Sequence, residues 1–471
     1  MHDHFDAGRL RSGVTLALLL FLLLAGGAGF LLRDLQRPGF TGDGVGYYAP
    51  LASLVVDGDL ELQNELAHLN RSYLRAAFLT PEGKLGNPFP IGPAILWAPG
   101  VLLVRTLPGS DRLDAPLSLS PQTRHPAFAP RFARAVLWMN MLLFLGGGAV
   151  LTAALAGRVG PVVAPCAVLL TAVGTPLFFY VLHDPSYGHA SSFFACALLV
   201  AAVVRERQRR LPLELLGFLW GFAALVRSQD AVLGVLLLPR LVDEWRQRRD
   251  DGVRAAIFAL LRFALPAFVA FLPQMLFWDR IYGTPLLVPP GPDFLPLWKP
   301  QLLHFLFSTW NGAFVWSPLL LVGLAGLVTI EERGLRYALV AAILLEIYSC
   351  SVLMDWWGGR AFGARRLVSI VPIASTGLAC LAHRLRTAWF KWVPALATAI
   401  LLCLWSVRLA EYHRHRLLPQ NPGNAADYVR HHVPGTQPTF RYGFWDYPRL
   451  LSEIVESERL LRASQRSQRS R

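Results

Sequence analysis

The chain has 471 residues, 54% of them hydrophobic and 16% charged, with a mean hydropathy of +0.40; soluble domains carry about 25% charged residues, so a soluble enzyme is excluded and a polytopic membrane protein indicated. The net charge of +14 does not point to nucleic acid, because most of the excess arginine sits in short segments between apolar runs and at the C-terminal end, where it sets orientation in a bilayer. Cys166, Cys196, Cys350, Cys380 and Cys403 fall within or beside apolar runs without CxxC spacing, which gives neither a disulfide framework nor a thiolate metal site.

The first predicted element is residues 13–32, twenty residues without a charge. At about 1.5 Å per residue such a run crosses a roughly 30 Å hydrocarbon core. It is too long for a signal-peptide core and lacks a small-residue cleavage pattern, so it reads as a retained helix. Directly after it comes Thr41-Gly42-Asp43-Gly44-Val45-Gly46-Tyr47-Tyr48, an acidic residue among glycines and tyrosines at the membrane surface. Asp57-Gly58-Asp59 reads as a turn and helix cap. Asn87-Pro88-Phe89-Pro90-Ile91-Gly92-Pro93 then leads into the apolar stretch 90–104, whose Pro90, Pro93, Pro99 and Gly100 argue for a juxtamembrane or re-entrant segment rather than a straight span.

Further apolar runs cover 135–155, 162–181, 191–204, 213–225, 231–238, 255–277, 314–330, 337–354, 367–381 and 392–407, about eleven spans with the first. The expected fold is therefore an all-α polytopic membrane protein. Around Arg227-Ser228-Gln229-Asp230 the chain reads either as two abbreviated helices with a polar turn or as one broken helix, and the parity of the topology depends on that choice. With a cytoplasmic N-terminus, Arg158, the arginines of 205–210 and 240–254, Arg333, Arg336, Arg384, Arg386 and Lys391 all fall inside. The first outer loop is then 33–130, with 183–189, 278–311 and 355–366 as other outer segments. Residues 1–410 form the membrane domain. Residues 411–471 form a partly disordered tail outside, with a short amphipathic helix through Leu450, Leu451, Ile454, Val455, Leu460 and Leu461.

Ionisable groups near helix ends in a membrane protein are functional candidates by default. Here Asp43, His183, Asp184, Arg227, Asp230, Asp279, Arg280, Asp355, Arg360, Arg365 and Arg366 all map to the outer side. Within the apolar runs charge is scarce, with Glu346 and Glu214 placed toward the inner portions of their helices.

The order of these motifs over residues 1–410 resembles the GT-C polytopic glycosyltransferases that use polyprenyl-phosphate sugars, including protein O-mannosyltransferases and lipid A aminoarabinose transferases. Asp43 follows the first span as that family's essential acidic residue does. The proline-rich 87–93 is similar to its Pro-Pro-Leu-Gly stretch, and Arg131-Phe132-Ala133-Arg134 to its Arg-Leu entry into the next span. His183-Asp184-Pro185 lies where relatives carry a second acidic residue. One departure is plain. The aminoarabinose transferases have Glu-Lys before the double proline, and Leu85-Gly86-Asn87 stands there instead, with Lys84 out of register.

The resemblance implies a GT-C-like membrane domain in a bacterial inner membrane. It also implies transfer of a sugar from a polyprenyl-phosphate donor to a periplasmic lipid, glycan or protein acceptor. Such a transfer needs a base for the acceptor's proton and fixed cations for the leaving phosphate. Asp43 is the candidate base, with Asp184 as a second catalytic carboxylate. Arg360, Arg365, Arg366 and Arg227 are candidates for the phosphate, since arginine's planar fork suits phosphate oxygens. Tyr47, Tyr48, Trp310, Asn311, Asp355, Trp356 and Trp357 are candidates for contact with sugar or prenyl chain. No residues are assigned to a metal, and a divalent cation is left open as a cofactor. The bland readings are turn chemistry at Asp43, helix capping by Asp184, and interfacial anchoring for the tryptophans. From another class, a transporter or flippase of a lipid-linked sugar requires polar groups along a path through the bilayer centre.

Overall fold

The computed structural model describes residues 7–32, 39–40, 42–67, 79–107, 129–206, 209–249, 252–288, 294–359, 361–386, 388–415 and a few positions between 448 and 459. Among them the only pairing outside helices and turns is a lone bridge between Leu79 and Leu85. Most of the expected tail helix lies outside the described residues.

In α1 (Ala7–Leu32), Ala17, Phe21 and Ala25 recur every four residues and are buried, while Leu16, Leu19 and Leu23 of the remaining circumference are exposed. An apolar surface of this kind needs hydrocarbon, not water, as its solvent. Two short helices follow, α2 (Asp43–Ala52) and α3 (Gln63–Ala67), and then α4 (Gly92–Thr106). The bundle continues with α5 (Pro130–Val159), α6 (Val163–Val173), α7 (Leu177–Leu182), α8 (His189–Glu206) and α9 (Leu213–Val226). A 3-10 helix, Ser228–Leu237, runs into α10 (Leu238–Arg249) and the long α11 (Val253–Tyr282). The last third contains α12 (Leu302–Phe307), α13 (Ala313–Trp316), α14 (Pro318–Gly326) and α15 (Arg333–Ser351). It ends with the 3-10 helix Arg365–Ile370, α16 (Val371–Leu385) and α17 (Trp389–Arg414).

Six described helices are long and apolar enough to cross a membrane, and four shorter apolar helices accompany them at 13–28, 163–173, 213–226 and 318–329. The chain is a multi-pass membrane protein. The remaining sequence run, 231–238, falls in the 3-10 helix and settles the ambiguity around Arg227. Arg227 is extended, with φ −154° and ψ 113°. The Trp220 indole N–H donates to the Ala231 carbonyl at 2.8 Å, and Gly234 sits on the same ring. Residues equally far on either side of Arg227 are thus neighbours, and the chain reverses there through a polar turn between two short helices.

The two ends of the bundle differ. At one, Arg158 pairs with Glu332 at 2.8 Å, Arg240 with Glu206 at 2.8 Å, Arg210 with Glu244 at 3.0 Å and Arg384 with Glu331 at 3.2 Å, so the basic loops share one side. The other end gathers Asp43, the 183–189 turn, Arg227 and the 355–366 loop. There α4 packs over the ends of its neighbours. The Gly92 backbone lies on Leu225 and Val226, the Ile91 N–H donates to Gln274 at 2.8 Å, and the Trp97 indole donates to Asn140 at 3.0 Å. By length and composition α4 is not among the described helices suited to cross a membrane.

α9 and α11 approach so closely that a Cβ on Gly217 would lie 2.0 Å from the Phe263 carbonyl oxygen. Backbone cannot yield as a side chain can, so Gly217→Ala is expected to destabilise by about 1–3 kcal/mol. A thermal unfolding midpoint in detergent equal to that of the unaltered protein would show that the helices are not in backbone contact.

Near α3, Asp59 accepts from the Ser53 hydroxyl at 2.8 Å and from the Glu61 N–H at 2.9 Å, which is the turn reading of 57–59. Burial, with a hydrogen bond that the protonated carboxyl donates to Asp57, pushes Glu65 up to about 8. A carboxyl protonated in the folded loop and ionised in the unfolded one stabilises fully at low pH and loses that contribution as pH rises through about 5 to 8. Hydrogen exchange at residues 60–67 is therefore expected to accelerate over that window beyond its intrinsic pH dependence. Glu65→Gln should remove the excess, and an excess that survives in this variant would place its origin elsewhere.

Candidate active site

Asp43 opens α2 just past a tight turn at Gly42, whose φ of +46° is in the left-handed region. The glycines around it let the 184–188 turn come close. A Cβ on Gly44 would lie 2.1 Å from the Ser186 hydroxyl, and one on Gly42 would lie 2.4 Å from that of Tyr187. The next glycine of the motif, Gly46, offers its carbonyl to the Asn87 side chain at 2.9 Å, which fixes the proline-rich segment against α2. Asp43 is thereby held at the crossing of three segments distant in sequence.

The fourth segment carries the arginines. The Arg365 guanidinium lies 2.7 Å from Asp43 Oδ2 and 5.2 Å above the Tyr187 ring. The Arg365 side chain is 11% exposed and that of Asp43 33%, so the carboxylate is the more open member of the pair. The next residue turns the other way. Arg366 binds Asp355 through its carbonyl and, at 2.7 Å, through its carboxylate. The Arg366 carbonyl in turn receives Arg227 at 3.1 Å, and Gln229 and Ser369 at 3.4 Å each. Arg227, Arg365 and Arg366 therefore form one group around the start of the Arg365–Ile370 helix.

The 355–364 loop can fold this way because Gly358, Gly359 and Gly363 take φ of +70°, +67° and +59°. Asn311 locks it. With φ +54°, the one non-glycine described residue in the left-handed region, it donates to the Trp357 and Ala361 carbonyls at 2.9 and 3.0 Å and accepts from the Gly363 N–H at 3.0 Å. The Phe362 N–H donates to the Tyr180 hydroxyl at 2.9 Å, tying the loop to α7.

Of the residues expected from sequence, the structure brings together Asp43, Arg365, Arg366, Arg227 and Asp355. Asp184 is half-buried beside them, and its charge acts on Tyr180 and Tyr187 together with that of Asp43. Arg360 lies outside the described residues. Tyr47 is buried against Phe89, and Tyr48 is fully buried with its ring stacked on Phe40 at 4.1 Å. Trp310, Trp356 and Trp357 are buried as well, Trp356 stacking on His304. Asn311 is a clamp for the loop. Asp279 and Arg280 join a separate corner, where the Arg280 carbonyl accepts from Lys84 at 2.9 Å and its guanidinium lies 3.9 Å from Glu61. Arg131 lies over the Phe132 ring at 4.8 Å.

Sequence reasoning missed three residues here. Tyr180 and Tyr187 flank His189, whose ring is 4.4 Å and 5.9 Å from theirs and whose two nitrogens have no hydrogen-bond partner among the described residues. Burial pushes the Tyr187 phenol up, and Asp43 adds to the effect, so it stays a neutral hydroxyl beside the ion pair. Glu346 is also placed differently from expectation. It lies five residues before the site end of α15, not toward the inner portion, and accepts from Ser369 at 2.7 Å and from Gln229 directly beneath Arg366. Glu214, by contrast, is in the first turn of α9 at the arginine-rich end, paired with Arg262. Among the described residues no three of His, Cys, Asp and Glu converge to hold a metal ion. Asp43 and Asp355 are each committed to an arginine.

No protein-family model and no curated protein matches the chain. Three solved structures do. An oligosaccharyltransferase from Archaeoglobus fulgidus in the apo form matches with a TM-score of 0.51 at 12% identity, over 92% of this chain and 59% of that one. ArnT from Cupriavidus metallidurans in the apo state matches at 0.48 and 13% identity, over 93% and 74%. The Archaeoglobus fulgidus oligosaccharyltransferase AglB in complex with an inhibitory peptide and a dolichol-phosphate matches at 0.47 and 12% identity, over 89% and 58%. The chain spans less than two thirds of the length of the two oligosaccharyltransferase chains. At this identity the likeness is one of fold alone, shared with the apo oligosaccharyltransferase.

Proposed function

We propose that the chain is a membrane glycosyltransferase that moves a sugar from a polyprenyl-phosphate donor to a hydroxyl or amine acceptor at the site end of the bundle. The observation that carries the reading is the Asp43–Arg365 pair at 2.7 Å, set beside Arg227 and Arg366. A carboxylate and a cluster of guanidinium groups are what this transfer requires. In the resting site Arg365 occupies Asp43. A donor phosphate recruits Arg365 as a bidentate partner and releases the carboxylate. The acceptor's heteroatom then forms a bond to the sugar's anomeric carbon as its proton passes to Asp43. The bond from that carbon to the phosphate oxygen breaks, and its electron pair stays on the oxygen, where the arginines meet the charge. Asp184, close to the same tyrosines, is the second carboxylate available to orient the acceptor.

The site end then faces the periplasm and the basic loops the cytoplasm of a bacterial inner membrane, in line with the positive-inside bias. The test is to incubate the purified protein in detergent with radiolabelled polyprenyl-phosphate sugar and a panel of acceptors. Label moved to an acceptor supports transfer. Vectorial movement of the intact donor across vesicles without transfer would overturn it in favour of a flippase.

A further inference from the structure

At the arginine-rich end, α10 exposes Leu238, Val242 and Trp245, an i, i+4, i+7 stripe, while Glu244 is buried on its opposite side and receives Arg210, Arg240 and Arg248. An apolar stripe carrying a tryptophan on an otherwise charged helix is the pattern of a helix lying in the headgroup layer. Burial alone would raise the Glu244 carboxyl, but hydrogen bonds from Arg240 and Arg248 outweigh it and hold the group at about 2. The inner side of α10 is thus a fixed ionic frame.

Behind that helix is a cavity of about 340 Å³, walled by the ends of α8, α9, the Ser228–Leu237 helix and α15. This is within the size range of small-ligand sites, roughly 300–1,000 Å³. Its lining is mixed: Leu216, Leu236 and Leu335 are apolar, while Glu206, Arg240 and Gln247 are polar, with Arg240 already paired to Glu206 and Glu244. Its mouth is charged, with Arg210 and Asp243. Arg210 reaches Glu244 at 3.0 Å yet keeps a side chain 48% exposed, which leaves guanidinium donors free for a second acceptor. Asp243 is exposed and has no ion-pair partner among the described residues. A pit with leucines on its lining and with an accessible cation and an open anion at its rim matches a ligand that joins a phosphate, a primary ammonium and an acyl chain. An anionic lipid would answer Arg210 but leave Asp243 facing its own sign. A soluble metabolite would leave the leucines uncovered.

We propose that this cavity binds phosphatidylethanolamine from the adjoining leaflet, with its phosphate on Arg210, its ammonium on Asp243 and an acyl chain on Leu216, Leu236 and Leu335. The lipid would bear on the site from a distance, since α10 continues the Ser228–Leu237 helix, whose other end adjoins Arg227. The experiment uses the full chain, purified and delipidated in detergent. Phosphatidylethanolamine, phosphatidylglycerol, phosphatidylcholine and free phosphoethanolamine are added in turn, with thermal unfolding and native mass spectrometry as readouts. Phosphatidylethanolamine is expected to raise the unfolding midpoint and to be retained in preference to phosphatidylglycerol. Asp243→Asn should cut that retention about fivefold, the weight of one charge at a membrane surface. Leu335→Trp, which fills the pit, should abolish it, and Ala338→Leu serves the same purpose if the tryptophan variant does not fold. Equal retention of phosphatidylglycerol, stabilisation by free phosphoethanolamine alone, or retention unchanged in both the rim and lining variants would each overturn the assignment. These readouts need no sugar transfer, so they stand apart from the outcome of the activity assay.

Discussion

Asp43→Asn is expected to lower the rate of sugar transfer by about 10² to 10⁴-fold, the range a positioned general base supplies, while the protein remains in the membrane at its usual level. Asparagine keeps an oxygen acceptor for Arg365 at the same position, so the turn and the packing of Gly42 and Gly44 against Ser186 and Tyr187 are retained. It cannot take up the acceptor's proton. The loss should therefore fall on kcat. Donor binding should hold or tighten, because a neutral amide competes less well than a carboxylate for the guanidinium that the phosphate recruits. Single-turnover rates alongside polyprenyl-phosphate binding separate the two effects. Wild-type turnover in this variant would end the assignment of the base.

Arg365→Ala is expected to cost about 10² to 10³-fold in transfer, comparable to removing one fixed donor from a developing anion. Here both kcat and donor KM should worsen, since the same group meets the phosphate in the ground state and in the transition state. Arg365→Lys should recover little. An ammonium cannot offer two parallel N–H groups or lie flat over the Tyr187 ring, 5.2 Å away. The variant also leaves Asp43 without its counter-ion, so the double variant with Asp43→Asn is informative. If the two groups act in one step, its rate will be close to that of the worse single variant, and full additivity would show that they act independently.

Much of this arrangement is legible in the linear sequence because the bilayer simplifies the reading. Apolar runs mark the helices, arginine bias sorts the loops, and an uncompensated Asp or Arg at a span end is conspicuous. Asp43 and the Arg365-Arg366 pair stand out that way, and Asp43 meets Arg365 in space. What sequence cannot give is depth and facing. Glu346 was recognised as an unusual charge, but a run of apolar residues has no internal ruler, and its place beneath Arg366 emerges only from contacts with Gln229 and Ser369. The tryptophans and Tyr48 have the composition of ligand-facing residues and yet pack inward, since an aromatic ring gains as much from a neighbouring ring as from a sugar. His189 and Tyr187 had only the short string Pro185-Ser186-Tyr187-Gly188-His189 to announce them. Asn311 had a usable signal. Asn-Gly is a pair suited to left-handed backbone, and Asn311-Gly312 is where the chain uses it.

The two guanidinium groups on adjacent residues, one aimed at Asp43 and the other at Asp355, share a single peptide unit. A backbone shift at that unit carries both, while each guanidinium keeps its own side-chain torsions. Under the proposed transfer, variants aimed at a different donor should therefore alter positions 365 and 366 together with their partners 43 and 355.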